Sequence, residues 1–114
     1  MMKLQEIIKQ CGLELKTQNG NLNRDITGGY SSDLLSDVMV NAKDGNIWLT
    51  LQTHSNIVAV AVLKNLAGII IVNNRELGDG TLSKAHDEKV SIMTTNLSTF
   101  EIVGKLYELG IKGN

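Results

Sequence analysis

Apolar positions along the chain recur with two alternating periods, and the alternation sketches a fold before any motif is considered. Leu4, Ile7, Ile8 and Cys11 fall at helical spacing over residues 3–11, and Gly12 stops the run. Residues 13–17 alternate apolar and polar, as a short half-exposed strand does. "QNGN" at 18–21 reads as a turn because Asn-Gly tolerates positive φ. Leu34, Leu35, Val38, Met39 and Ala42 make the apolar stripe of a second helix, with Ser31 or Ser32 placed to cap it and Asp33 in its first turn. "KDGN" then turns the chain into a strand at 47–51, with Trp48 on one face and Ile47, Leu49 and Leu51 on the other.

The second half repeats the alternation. "SNIVAVAVLKN" is rich in β-branched residues but long for a strand; Ser55 as a cap and Ala-Gly after it favour a buried helix, followed by a strand at 68–72. A polar loop, "NNRELGDG", leads to a weaker helix at 81–88, and a strand follows from 89 or 90 to 93. Ser98-x-x-Glu101 is a capping box opening a last helix that Gly110 ends, with Phe100, Val103, Leu106 and Tyr107 on one face. Short apolar strands joined by helices predict an α/β domain: three layers, with a mostly parallel sheet flanked by helices, in one unit spanning residues 1–114. Ligands of such sheets gather at the carboxyl ends of the strands. Those ends carry Thr53 and His54, then Asn73 and Asn74, then Thr94. All hydrogen-bond well, so they are candidates for a small-molecule crevice, although polar loops and helix caps have the same composition.

Composition narrows the functions. With 11 basic and 12 acidic residues mixed along the chain, a net charge of −1 leaves no electrostatic footprint for nucleic acid. The single cysteine, Cys11, excludes an internal disulfide and a Cys-rich metal site, and reads as a small apolar residue on the inner face of the first helix. The amino terminus lacks the pattern of a signal peptide, and the apolar stretch 57–72 is broken by Lys64, Asn65 and Gly68. A cytoplasmic protein with no membrane contact is the expectation. Residues 57–63 are apolar nearly all round, more than one sheet face requires: either both sides are buried inside the fold or one side meets a partner, and a homodimer is the favoured expectation.

The least ordinary segment is "NRDITGGYSSDLLSDVM" at 23–39. Its two adjacent glycines before a helix pattern admit two readings. Their amides, with the helix start, could hold a phosphate or carboxylate; or the pair turns a strand-to-helix corner that Thr27 and Asp25 brace. The motif alone favours the corner. No P-loop, dinucleotide fingerprint, H-E-x-x-H zinc pair or G-x-S-x-G nucleophile accompanies it. His54 and His86 stand alone, "HDEK" at 86–89 reads as a solvated helix end, and only scattered Asp25, Asp37 and His54 remain as catalytic material.

"DITGGYSSDLLSDVM" followed by "GNIWLTLQTHSNIVAVAVLKNLAGIIIVNN" resembles the DRTGG domain, named after its Asp-Arg-Thr-Gly-Gly signature, over nearly the whole chain. That family is similar in fold to the amino-terminal domain of HPr kinase/phosphorylase and more remotely to those of some Mur ligases. Its members occur as single small proteins, often in anaerobes and near hydrogenase genes, or fused to CBS domains, which bind adenine nucleotides. The resemblance implies a non-catalytic regulatory or ligand-sensing module that commonly dimerises, with no cofactor and with a nucleotide or other anion as its ligand. A pure protein-interaction module serving a metabolic, hydrogenase-associated partner is the alternative. The kinase activity of the larger relative lives in a P-loop domain, so the resemblance does not carry catalysis. Asp25, Thr27, Gly28 and Gly29 match the signature; Ile26 stands where its arginine should be. In a strand Arg24 would share a face with position 26, which makes it the geometric stand-in.

Overall fold

The computed structural model describes all 114 residues. Ten elements follow one another: α1 (Leu4–Gln10), β1 (Glu14–Leu15), β2 (Gly28–Ser31), α2 (Leu35–Asn41), β3 (Asn46–Thr50), α3 (Asn56–Lys64), β4 (Gly68–Ile71), α4 (Thr81–Glu88), β5 (Ile92–Thr94) and α5 (Thr99–Glu108). The strands form one five-stranded sheet in the order β1-β5-β4-β3-β2. Strands β2 to β5 run parallel, and β1 adds antiparallel to β5. The expected mostly parallel α/β architecture is therefore present.

Strand alternation sorts the core into two layers. Ile47, Leu49, Ile70 and Met93 face α1 and α5, meeting Leu4, Ile7, Ile102 and Leu106. Trp48, Ile69, Ile71 and Ile92 face the other way, against Val38, Ile57, Val58 and Ala85 of α2, α3 and α4. Because β3 and β4 are covered on both faces, every residue in them is buried, and only branched or aromatic side chains and threonine fill them well beyond their first residues.

The apolar girth of α3 has a cause inside the fold. It lies between α2 and α4 on the sheet, burying Ile57, Val58, Val60 and Ala61, so of its apolar residues only Val62 and Leu63 near its end stay exposed. Asn65 then closes it in the left-handed conformation at φ 52°.

Several expectations are corrected. Gly28 and Gly29 do not form a corner; with Tyr30 and Ser31 they form the edge strand β2, paired with β3 from Gly28 opposite Asn46 to Ser31 opposite Leu49. Neither glycine has positive φ. Helix α2 starts later than expected, at Leu35, and no side chain caps it. The Ser32 hydroxyl accepts from the Leu34 amide. Asp33, expected in the first turn, instead accepts from the Leu51 amide and the Thr50 hydroxyl. Strand β5 runs to Thr94, later than the pattern indicated. Helix α5 does open on Ser98, whose hydroxyl accepts from the Glu101 amide at 3.4 Å, yet it buries Ile102 and Leu106 and leaves Phe100 and Tyr107 in solvent.

Candidate functional site

The signature segment is tied down by its own fold. Asp25 bridges to Lys3, its Oδ1 2.7 Å from the ammonium. Ile26 enters the core at 3% exposure, while Arg24 leaves it and donates to Asp44 at 2.9 Å and to the Asn65 carbonyl at 2.8 Å. The two side chains therefore do not share a face. Thr27 donates to the Asp44 carbonyl at 2.7 Å and accepts from Asn46. It also packs over Gly45, which holds φ +80°, so a Cβ there would stand 2.6 Å from the Thr27 methyl.

The glycine pair makes room for residues 112–114. The Gly29 amide donates to the Lys112 carbonyl at 2.9 Å, and a Cβ on Gly28 would meet that same carbonyl oxygen at 3.0 Å. Asn114 and Asn46 exchange side-chain amide bonds in both directions, at 2.8 and 3.1 Å. The Gly29 amide, which an anion at this point would need, is thus already committed.

The Lys3 ammonium holds the Asp25 carboxyl below the ordinary carboxylate range. A carboxyl whose folded pKa is depressed contributes stability that is complete above its unfolded pKa and lost as pH falls through the folded value. The pair is exposed, so that contribution is small. An NMR titration of the side-chain carboxyl should show the Asp25 midpoint below the ordinary value, returning to it in Lys3→Met; an ordinary midpoint in the unsubstituted protein refutes the pairing.

The strand ends are only partly assembled into one place. The Thr53 carbonyl accepts from the Gly78 amide and the Thr81 hydroxyl, and His54 Nδ1 accepts from the Asn56 amide at the start of α3. The amides of Asn73 and Asn74 donate to the carbonyls of Leu97 and Thr95, joining the β4–α4 and β5–α5 loops. Those loops diverge to opposite faces of the sheet, which makes the carboxyl ends of β4 and β5 its topological switch point, where ligands of open α/β sheets bind.

An open crevice of about 880 Å³ lies there. Thr94 and Asn74 contribute to its lining, as do Glu14 and Lys16 from β1 and beyond, Arg75 and Leu77 from the loop, and Leu82, Ser83 and His86 from α4. Of the candidates read from sequence it gathers Asn74 and Thr94; Thr53, His54, Asn73 and the signature residues lie outside its lining. Lys16, Arg75 and His86 are the residues sequence reading missed. Lys16 pairs with Glu14 at 2.9 Å, whereas no carboxylate pairs with Arg75. His86 is half-buried rather than solvated: its Nε2 accepts from the Gln18 amide at 3.2 Å and its carbonyl accepts from Asn19, which pins the turn after β1 against α4. Glu76 and Asp87 offset the basic groups, so the crevice is polar with mixed charge.

No family model and no curated protein matches the chain. Among solved structures, it superposes on the CBS and DRTGG domains of the regulatory region of Clostridium perfringens pyrophosphatase, in complex with the activator diadenosine tetraphosphate, with a TM-score of 0.72. The fold is CBS/DRTGG-like. Identity is 12%, and the match covers 90% of this chain and 44% of the other, so this chain spans less than half the length of that neighbour.

The remaining chemistry-bearing residues are engaged elsewhere. Asp37 accepts from the Tyr30 hydroxyl and the Asn41 amide at 2.8 Å each, and the Ser32 hydroxyl, with these two, holds its carboxyl below the ordinary range. Asp25, Asp37 and His54 have separate partners, and no group of three or more His, Cys, Asp or Glu side chains is placed to hold a metal. Burial pushes the Cys11 thiol up, against a smaller opposing effect of Lys105, which suits packing rather than reactivity. No helix is long and apolar enough to cross a membrane.

Proposed function

We propose that this chain is a non-catalytic regulatory domain of the DRTGG type that senses a phosphate-bearing nucleotide. The observation that carries the reading is the fold shared with a regulatory region whose complex contains diadenosine tetraphosphate. The signature residues Asp25, Thr27, Gly28 and Gly29 favour the DRTGG part of that region. Within this chain the ligand site is the crevice at the switch point, not the glycine pair. Arg75, without a carboxylate partner, and Lys16 supply charge for phosphate, while Leu77 and Leu82 supply the apolar surface a base needs.

Isothermal titration with adenosine mono-, di- and triphosphate and diadenosine polyphosphates tests this directly. Heat should appear for phosphate-bearing members and not for adenosine. Arg75→Ala should weaken binding about tenfold or more, the loss expected for one charge-assisted contact. A flat response from every member overturns the reading. It would leave the domain as a protein-interaction module acting on a metabolic partner, which the exposed Leu34, Val40 and Phe100 favour.

A further inference from the structure

The turn after β1 hangs on a single residue of α4. The Gln18 amide donates to His86 Nε2 at 3.2 Å, and the Asn19 side-chain amide donates to the His86 carbonyl at 3.0 Å. Residues 18–20 make no other hydrogen bond. The tie joins two walls of the crevice at the switch point, since Lys16 lines it just ahead of the turn and His86 lines it from α4.

Asn19 is also the one asparagine of the chain that a glycine follows. A following glycine has no Cβ to shield the asparagine side chain, and its backbone moves freely. Asn19 is exposed, and the Gly20 amide nitrogen is engaged in no hydrogen bond. The fold demands this glycine. A Cβ on Gly20 would overlap the hydroxyl of buried Ser91 and stand 3.0 Å from its Cβ. The bond to His86 in turn uses the carboxamide nitrogen of Asn19. Packing thus keeps one half of the pair and hydrogen bonding the other.

We propose that Asn19 is a site of spontaneous deamidation, and that its conversion releases the turn from α4. The Gly20 amide nitrogen, its proton lost to solvent base, attacks the side-chain carbonyl carbon of Asn19. A C–N bond forms to close a succinimide, the bond to Nδ2 breaks, and that nitrogen takes a proton from water and leaves as ammonia. Water then adds to either carbonyl of the ring and opens it, leaving aspartate or isoaspartate at position 19. Nothing is oxidised or reduced. The product carries a carboxylate where the donor stood, with no proton to give the His86 carbonyl and a charge that repels its oxygen. Isoaspartate also adds a methylene to the backbone of the turn. The bond to His86 is itself exposed, so local opening frees the side chain to react. The reaction needs no ligand in the crevice and stands apart from the nucleotide reading.

Incubation at mildly alkaline pH, which favours the deprotonated amide, followed by peptide mapping with mass spectrometry tests the reaction. Aspartate and isoaspartate should accumulate at position 19 ahead of every other asparagine. Hydrogen exchange tests the consequence. The Gln18 amide should be protected in fresh protein and exchange about tenfold faster in aged protein, as the loss of one hydrogen bond allows. Asn19→Asp should exchange fast from the start with an unchanged circular dichroism spectrum. Asn19→Gln, whose longer side chain closes a ring far more slowly, should not change with age. Earlier conversion of another asparagine overturns the proposal, as does a Gln18 amide unprotected in fresh protein or one whose protection survives conversion.

Discussion

Trp48→Ala should lower the stability of the domain by about 3–5 kcal/mol, the range for removing a large buried aromatic side chain. Trp48 is fully buried at the middle of β3, between Tyr30 of β2 and Ile69 of β4. Its ring joins the layer made by α2, α3 and α4, and its indole N–H donates to the Ser32 carbonyl at 2.9 Å. Alanine thus opens a cavity at the junction of three helices and strands a carbonyl in the β2–α2 connection. Against a typical domain stability of about 5–15 kcal/mol, the loss is about a fifth of the total or more. Urea unfolding followed by circular dichroism measures it, since the substitution removes the only tryptophan. Trp48→Phe should cost clearly less, because it retains most of the packing. A loss below about 1 kcal/mol for Trp48→Ala would mean that the core layer collapses onto the site, contrary to the packing described.

Asn46→Ala should cost about 2–3 kcal/mol, a figure set by hydrogen bonding rather than volume. The side chain is completely buried, donates to Thr27 and Asn114, and accepts from the Lys43 amide and from Asn114. No buried side-chain polar atom in the protein lacks a partner; the substitution removes all four of these bonds at once and leaves the signature threonine only its bond to the Asp44 carbonyl. Asn114→Ala removes only its share of the network and should cost less. The double variant should be less destabilised than the sum of the two, because both singles break the same reciprocal amide pair. Strict additivity in the unfolding free energies would show that the pair contributes nothing. The outcome matters for function, since it assigns Thr27, Gly28 and Gly29 to holding the sheet edge rather than to holding a ligand.

Periodicity carried most of the fold. Residues 81–88 were legible as a helix with the observed limits, and the split of Trp48 from Ile47 and Leu49 follows from strand alternation alone. What escaped was decided by long-range partners. Gly-Gly-Tyr-Ser has no apolar run, so β2 exists because β3 on one side and residue 112 on the other satisfy its backbone. In α5 the sets Phe100, Val103, Tyr107 and Ile102, Leu106, Leu109 both fit a helical period, and only the sheet decides which is buried. The crevice escaped for the same reason. Lys16, Arg75 and His86 carry no motif between them, and they converge because β1 pairs antiparallel with β5 while Gln18 reaches His86. Polar strand ends pointed to the edge of the sheet where the crevice opens and, through Asn74 and Thr94, to part of its lining.

The seam between the glycine strand and residues 112–114 also bears on the order in which the domain assembles. Asn46 and Asn114 are 68 residues apart in sequence, so their amide pair closes one of the longer loops in the molecule, and such contacts form only after the entropy of that closure has been met. The pairing of β3 with β4 spans a far shorter stretch of chain. During synthesis β3 and β4 can associate before residues 112–114 have emerged, so the outer side of the glycine strand is covered only afterwards. The glycine strand therefore gains its outer partner late, after the pairing of β3 with β4 can already have formed.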